Sequence, residues 1–223
     1  MKDWKIYEII WLALFSAVAV FLTVTSNGSV FDFSVFLSGV LCVVLAAKGN
    51  IWTYAFGIYN TFSYAWLSYA NGLFGEMGLN LFFFAPMTVI GYFMWKKHMS
   101  GHIVEMKKLR RATVLTIFAG SLASIAVMGW LLSFIPTQNT PYIDATTNVL
   151  SIVATFLMIM RFKEQWIMYM TLNVFTILMW SIRLANGSSE GMMMVVMWSA
   201  YLVNSIYGYH VWSAGANKTA GAQ

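Results

Sequence analysis

Lys96-Lys97-His98-Met99-Ser100-Gly101-His102-Ile103-Val104-Glu105-Met106-Lys107-Lys108-Leu109-Arg110-Arg111 decides the fold. It carries six cationic residues against one acidic, and it separates two long apolar runs, 74–95 and 113–135. Further runs lie near 6–25, 31–47, 51–70, 142–160, 164–184 and 190–212. The remaining cations keep to alternate connections: Lys2 and Lys5 before the first run, Lys48 after the second, Arg161 and Lys163 between the sixth and seventh, and Lys218 in the tail. Only Arg183, of thirteen Lys and Arg residues, falls on the other side. Basic loops stay in the cytoplasm, because translocating them is unfavourable and the inner leaflet is anionic. Eight spans with both termini in the cytoplasm follow.

Composition points the same way. Hydrophobic residues make up 60% of the 223 and charged residues 9%, against about 25% charged in soluble domains. A helical span takes roughly 20 apolar residues, so eight spans consume most of the chain. The runs are long and unbroken, which disfavours a β-barrel. The net charge of +5 is then a topological signal, and the dispersed cations predict no nucleic-acid partner; the 96–111 loop is expected to lie on anionic lipid headgroups. Cys42, the single cysteine, allows no intramolecular disulfide and reads as a small packing residue. The first run carries Glu8 and is followed by Thr25-Ser26-Asn27-Gly28 without a small-x-small cleavage site, so it is expected to remain as an uncleaved, peripheral helix.

An internal repeat organises the rest. Gly91-Tyr92-Phe93-Met94-Trp95 closes the fourth run as Gly208-Tyr209-His210-Val211-Trp212 closes the eighth. Asn71-Gly72 matches Asn186-Gly187, Glu76 matches Glu190, Asn60 with Phe62 matches Asn173 with Phe175, and Lys48 matches Arg161. The expected organisation is a peripheral helix (1–30), a first three-helix repeat (31–95), a basic loop and linker helix (96–141), a second repeat (142–212) and a cytoplasmic tail (213–223). The odd linker crossing makes the repeats parallel, a transporter architecture with substrate bound near the midplane between the halves.

Polar groups at depth in hydrocarbon are costly and need a reason. Asn60, Asn173 and Asn204 fall near the centres of the third, seventh and eighth spans. Any one of them could be interhelical glue, which is worth about 0.6 kcal/mol on average; the pairing of Asn60 with Asn173 across the repeat favours a binding site. Trp166, Tyr169 and Asn173 share one helical face by their i, i+3, i+7 spacing, with Thr53, Phe56 and Asn60 as the matching face of the third span. Trp166 at that depth also suits interfacial anchoring. Tyr64, Trp66 and Trp180 are further aromatic candidates, although such stripes also serve packing and lipid contact. Pro86 is expected to kink the fourth span.

The acidic residues Asp3, Glu8, Asp32, Glu76, Glu105, Asp144, Glu164 and Glu190 all avoid span centres, which favours uncoupled, facilitated movement over proton or sodium coupling. His98 and His102 lack carboxylate or thiolate neighbours, so no metal is expected. No HExxH, GxSxG or Walker A pattern occurs, so no enzymatic activity and no cofactor are expected. A small channel and a membrane-embedded enzyme are the readings from other classes.

Over residues 35–212 the chain resembles the PnuC family of bacterial vitamin transporters. The resemblance rests on Phe56-Gly57-Ile58-Tyr59-Asn60, on Val149-Leu150-Ser151-Ile152-Val153-Ala154 and above all on Glu164-Gln165-Trp166-Ile167-Met168-Tyr169-Met170-Thr171-Leu172-Asn173-Val174. It implies an all-α fold like a full-length SWEET transporter, a homotrimer in the bacterial inner membrane, and a substrate tunnel between the bundles. It further implies facilitated uptake, most simply of nicotinamide riboside for NAD synthesis, with cytoplasmic phosphorylation trapping the product. The substrate-binding residues it brings together with the reading above are Phe56, Asn60, Tyr64, Trp166, Tyr169, Asn173, Trp180 and Asn204. Two departures bear on the substrate: Tyr169 stands where the nicotinamide riboside branch has a second Trp, and Thr88 lies where an Asn is frequent. Thiamine and other vitamins or nucleosides carried by related branches are the alternatives.

Overall fold

A computed structural model describes residues 6–25, 29–70, 74–101, 103–135, 140–187 and 191–221. Lys2, Lys5, Asn71-Gly72, His102 and Glu190 lie outside the described residues. The chain divides into two compact units, Met1–Val104 and Glu105–Gln223.

In the first unit α1 (Ile6–Thr25) packs on α2 (Val30–Ala47), and α2 on α3 (Trp52–Ala70). The apolar run expected at 74–95 is α4 (Phe74–Leu79), a π-helical turn (Asn80–Phe84) and α5 (Ala85–Lys96) without a break. The predicted effect of Pro86 therefore takes a specific form. Proline has no N–H and its ring crowds the preceding turn, and the widened π turn directly before it absorbs both. In the second unit α6 (Arg111–Leu132), α7 (Pro141–Ile159), α8 (Gln165–Ala185) and α9 (Gly191–Gly221) pack in sequence order. Leu150, Ala154, Leu157, Met168 and Leu172 form the α7–α8 core, with Tyr169 and Trp198 packed against it.

Among the described residues, Met77–Lys96, Arg111–Leu132, Pro141–Ile159 and Gln165–Ala185 are long and apolar enough to cross a membrane, and Glu8–Val18 and Phe33–Ala47 are shorter apolar segments. The outer face of α6 leaves Leu115, Phe118, Leu122, Val127 and Trp130 exposed, as suits a helix solvated by lipid.

The described residues are nearly all helical, as expected. Within the basic loop Met99–Ser100 (β1) and Ile103–Val104 (β2) pair antiparallel, and Val104 N–H donates to Gly49 O at 2.9 Å. The segment from 213, expected as a tail, continues α9 and is helical to Gly221. Its Ala216 is buried and a side chain at Gly215 would collide with Met106, so tertiary packing extends this Ala- and Gly-rich helix. The 105–109 segment of the basic loop is held in place by hydrogen bonds. Lys107 N–H donates to Arg161 O, Lys163 N–H donates to Lys107 O, and Leu109 N–H donates to the buried Glu164 carboxylate at 3.1 Å.

The α2–α3 and α7–α8 turns are built alike. Asn50 N–H reaches back to Leu45 O and Gly49 N–H to Ala46 O, and Phe162 and Arg161 do the same to Leu157 and Met158. This is the Schellman arrangement, which needs a left-handed residue after the helix. Gly49 provides it without strain at φ 68°, while Arg161 adopts φ 68° against its Cβ sterics. Arg161 is retained by its buried side chain, which lies 3.7 Å from the Glu105 carboxylate and bonds the Glu105 carbonyl. Burial lowers the guanidinium pKa, and the Glu105 charge opposes that shift.

α1 is tied down more firmly than a peripheral helix needs. Lys48 Nζ lies 2.7 Å from Glu8 Oε2, with both side chains largely buried. Removing one partner of a buried pair leaves an uncompensated charge, at a cost of about 3–5 kcal/mol, whereas replacing both with apolar residues is often near neutral. Lys48→Met alone is therefore expected to lower the melting temperature of the detergent-solubilised protein sharply, and Glu8→Leu added to it to restore most of the loss. Losses that simply add would contradict a coupled pair.

Candidate functional site in the second unit

Trp166 and Tyr169 stand one turn apart on α8, their ring centroids 5.8 Å apart. Trp166 is 3% exposed, so it is a packed residue and not an interfacial anchor. Its position has a definite cause. A Cβ at Gly208 would lie 2.6–2.7 Å from the indole atoms, so only glycine lets the ring rest against the α9 backbone. Trp212, one turn further along the same face of α9 and fully buried, packs its ring 6.3 Å from that of Trp166. Lys163, before α8, holds the same end by donating to Ser213 Oγ and lying 5.1 Å over the Tyr209 ring.

Asn173 is two turns beyond Trp166, about 10 Å by helix rise, and 3% exposed. Its Nδ2 donates to Ser205 Oγ at 3.0 Å, and Ser205 in turn donates to Tyr201 O. Asn204, also buried, precedes Ser205 on α9. Tyr169 is half-buried, and its hydroxyl points to Met158 Sδ at 3.9 Å, a weak partner. Two aromatic rings and the buried Asn173 amide thus line α8 where it packs between α7 and α9.

The first unit repeats the aromatic seat but not the amide. Tyr54 packs edge-on to Trp95 at 5.0 Å, and a side chain at Gly91 would collide with the Tyr54 ring. Tyr54 is therefore the counterpart of Trp166, 112 positions earlier, as Gly49 is of Arg161. The expected match of Thr53, Phe56 and Asn60 with Trp166, Tyr169 and Asn173 is one residue out of register. One residue turns a helical side chain by about 100°. Accordingly Asn60 faces α2, where its Nδ2 donates to Val35 O at 2.8 Å and Ser38 Oγ at 3.2 Å, while Asn173 faces α9. The two are not equivalent positions, and Asn60 does what an interhelical amide does.

Of the other candidates, Phe56 is half-buried on α3 near Asn60, and Tyr64 is 43% exposed further along it. Trp180 lies about two turns past Asn173 with the Arg183 guanidinium 4.8 Å over its ring, so it belongs to the far end of α8. Cys42 packs as expected, its Sγ 3.5 Å from Thr53 Oγ1, and Thr88 bonds its own helix at Phe84 O. Sequence reasoning missed Ser205, the Gly208 seat and Trp212 as parts of the site. The signal was present in the two Gly-Tyr-x-x-Trp pentapeptides, which mark the surfaces that receive Tyr54 and Trp166.

Residues 29–214 match the nicotinamide mononucleotide transporter family. The nicotinamide riboside transporter PnuC of Haemophilus influenzae is 33% identical over 98% of this chain and 95% of its own. That of Neisseria mucosa is 32% identical over 98% of this chain and 85% of its own, and that of Escherichia coli 25% identical over 66% and 72%. A crystal structure of the vitamin B3 transporter PnuC superposes with a TM-score of 0.81 at 33% identity, covering 98% of this chain and 95% of that one.

The Gly208 seat predicts a contrast. Gly208→Ala is expected to dislodge Trp166 and cut substrate uptake at least tenfold at unchanged expression. Gly120→Ala, in open space on α6, is expected to leave uptake as it is. Uptake assays in cells carrying each variant check this; equal behaviour of the two would show that the seat does not matter.

Proposed function

The chain belongs to the nicotinamide mononucleotide transporter family, and from that premise we propose that it carries nicotinamide riboside into the cell. The family makes it a multi-pass membrane transporter and not an enzyme. The observation that carries the substrate reading is the Trp166–Tyr169 pair one to two turns from a buried asparagine. The pyridinium ring of nicotinamide riboside is a cation, attracted to aromatic faces by roughly 0.5–2 kcal/mol per contact. Asparagine amides offer donors and an acceptor to its carboxamide and ribose hydroxyls. In this reading Trp166, Tyr169, Asn173 and Asn204 hold the substrate, with Trp180 toward the outer end of α8.

The same reading takes the chain as eight crossings of the bacterial inner membrane, with two parallel three-helix repeats joined by α6, both termini inside, and three copies in the lipid bilayer. The described helices, the similar turns at Gly49 and Arg161, and the cation distribution support it. No carboxylate stands at a span centre, so transport is facilitated diffusion, and cytoplasmic phosphorylation traps the product. Thiamine, also a cationic aromatic, is favoured as a second substrate by one observation: the phenol of Tyr169 occupies the place of a second indole.

Uptake of labelled nicotinamide riboside, thiamine and riboflavin into proteoliposomes tests this. Nicotinamide riboside is expected to equilibrate without accumulating, whatever proton or sodium gradient is imposed. Asn173→Leu is expected to abolish its uptake with oligomer size intact, and Tyr169→Trp to shift preference toward it. Preferential thiamine uptake would favour the second reading, and gradient-driven accumulation would exclude facilitated diffusion. Orientation is tested separately: a cysteine at Thr140 is expected to react with an impermeant reagent from outside, and one at Ser100 to be protected.

A further inference from the structure

One buried polar side chain of α8 has no hydrogen-bond partner among the described residues. Gln165 opens the helix at 0% exposure, and neither its Oε1 nor its Nε2 has a hydrogen-bond partner among the described residues. The indole N–H of Trp166, beside it, is buried and likewise unmatched among the described residues. Thr53, the counterpart of Gln165 in the first unit, shows what a structural polar group does at this position: its hydroxyl donates to Cys42 O at 2.8 Å. Gln165 makes no such bond. The charged residues near it are committed elsewhere, Glu164 to Leu109 N–H, Lys163 to Ser213 and Tyr209, and Arg161 to Glu105.

A carboxamide carries two donors and an acceptor. Leaving these dry shifts an equilibrium by about tenfold or more against the state in which they are dry. An apolar side chain of the same length would fill the space without that bias. The amide therefore makes sense if its partner arrives in the course of function.

We infer that the Gln165 amide and the Trp166 N–H form an inner hydrogen-bonding station on the transport path. The station takes the neutral polar groups of the substrate, a carboxamide or sugar hydroxyls, as the substrate passes from the Tyr169–Asn173 level toward the cytoplasm. This rests on the reading of α8 as the substrate-bearing helix. Gln165 and Tyr169 are four residues apart and so share a face one turn apart, about 5–6 Å along the axis. That is within the length of a nicotinamide ring with its carboxamide. A substrate stacked on the aromatic pair needs to advance only one turn to exchange its contact with Asn173 for one with Gln165.

Gln165→Met retains side-chain length and removes every hydrogen-bonding atom. In reconstituted, full-length protein it is expected to bind nicotinamide riboside within about threefold of wild type, to melt at or above the wild-type temperature, and to transport about tenfold more slowly. Wild-type transport would overturn the station. So would a melting temperature several degrees lower, or failure of both Gln165→Met and Gln165→Leu to fold, since each assigns Gln165 a structural role. Asn173→Leu in the same panel separates the two levels of inference. If it abolishes binding while Gln165→Met transports normally, only the station falls; if it binds like wild type, the α8 site itself falls and the station with it.

Discussion

The second unit depends on one close approach. Inside a bilayer, apolar side chains gain nothing by leaving lipid for each other, so helices associate through small residues and tight van der Waals packing. Gly208 is that small residue for α8 and α9. Its missing side chain lets the Trp166 indole lie on the α9 backbone, and Trp212, one turn along the same helix, packs against the ring. With the first turn of α8 pinned, the 3.6-residue period dictates the rest: Tyr169 falls beside Trp166, and Asn173 reaches Ser205 on α9. The same seat in the first unit, Gly91 with Tyr54 and Trp95, shows that it is a packing solution used twice. What distinguishes the second unit is what lies around the seat: a larger indole, a buried amide pair and the dry carboxamide of Gln165.

The short connection before α8 is as important as the helix. Arg161 accepts a left-handed backbone that Gly49 adopts freely, and in exchange its buried guanidinium secures Glu105. Backbone hydrogen bonds of Lys107 with Arg161 and Lys163, and the Glu164 carboxylate accepting from Leu109 N–H, then bind the 105–109 segment to the α7–α8 turn. The acidic residue of the Glu164-Gln165-Trp166 motif is thus an architectural clasp. It leaves the amide and the indole N–H beside it unmatched among the described residues.

The architecture was largely legible in the sequence because hydrophobic length and cation placement are strong, additive signals. Helix ends near 6–25, 142–160 and 164–184 agree with α1, α7 and α8 to within a residue or two. What composition could not convey was register. Asn60 and Asn173 look like partners because they lie near the middle of similar runs, but a one-residue offset places them on different helix faces. That offset is visible only through hydrogen bonds at the Gly49 and Arg161 turns, where a glycine and an arginine play one conformational part. The extension of α9 past residue 212 and the hydrogen-bonded 105–109 segment escaped for a related reason: both are created by tertiary contacts, at Met106 and at Arg161, and not by local propensity.

A structure of the protein with nicotinamide riboside bound tests the central claim most directly. The account predicts the pyridinium ring within about 6 Å of the Tyr169 ring centroid, beside Trp166, with the Asn173 amide within hydrogen-bonding distance of a carboxamide or ribose oxygen. Nicotinamide riboside seated away from α8, with Trp166, Tyr169 and Asn173 all out of contact, would contradict it.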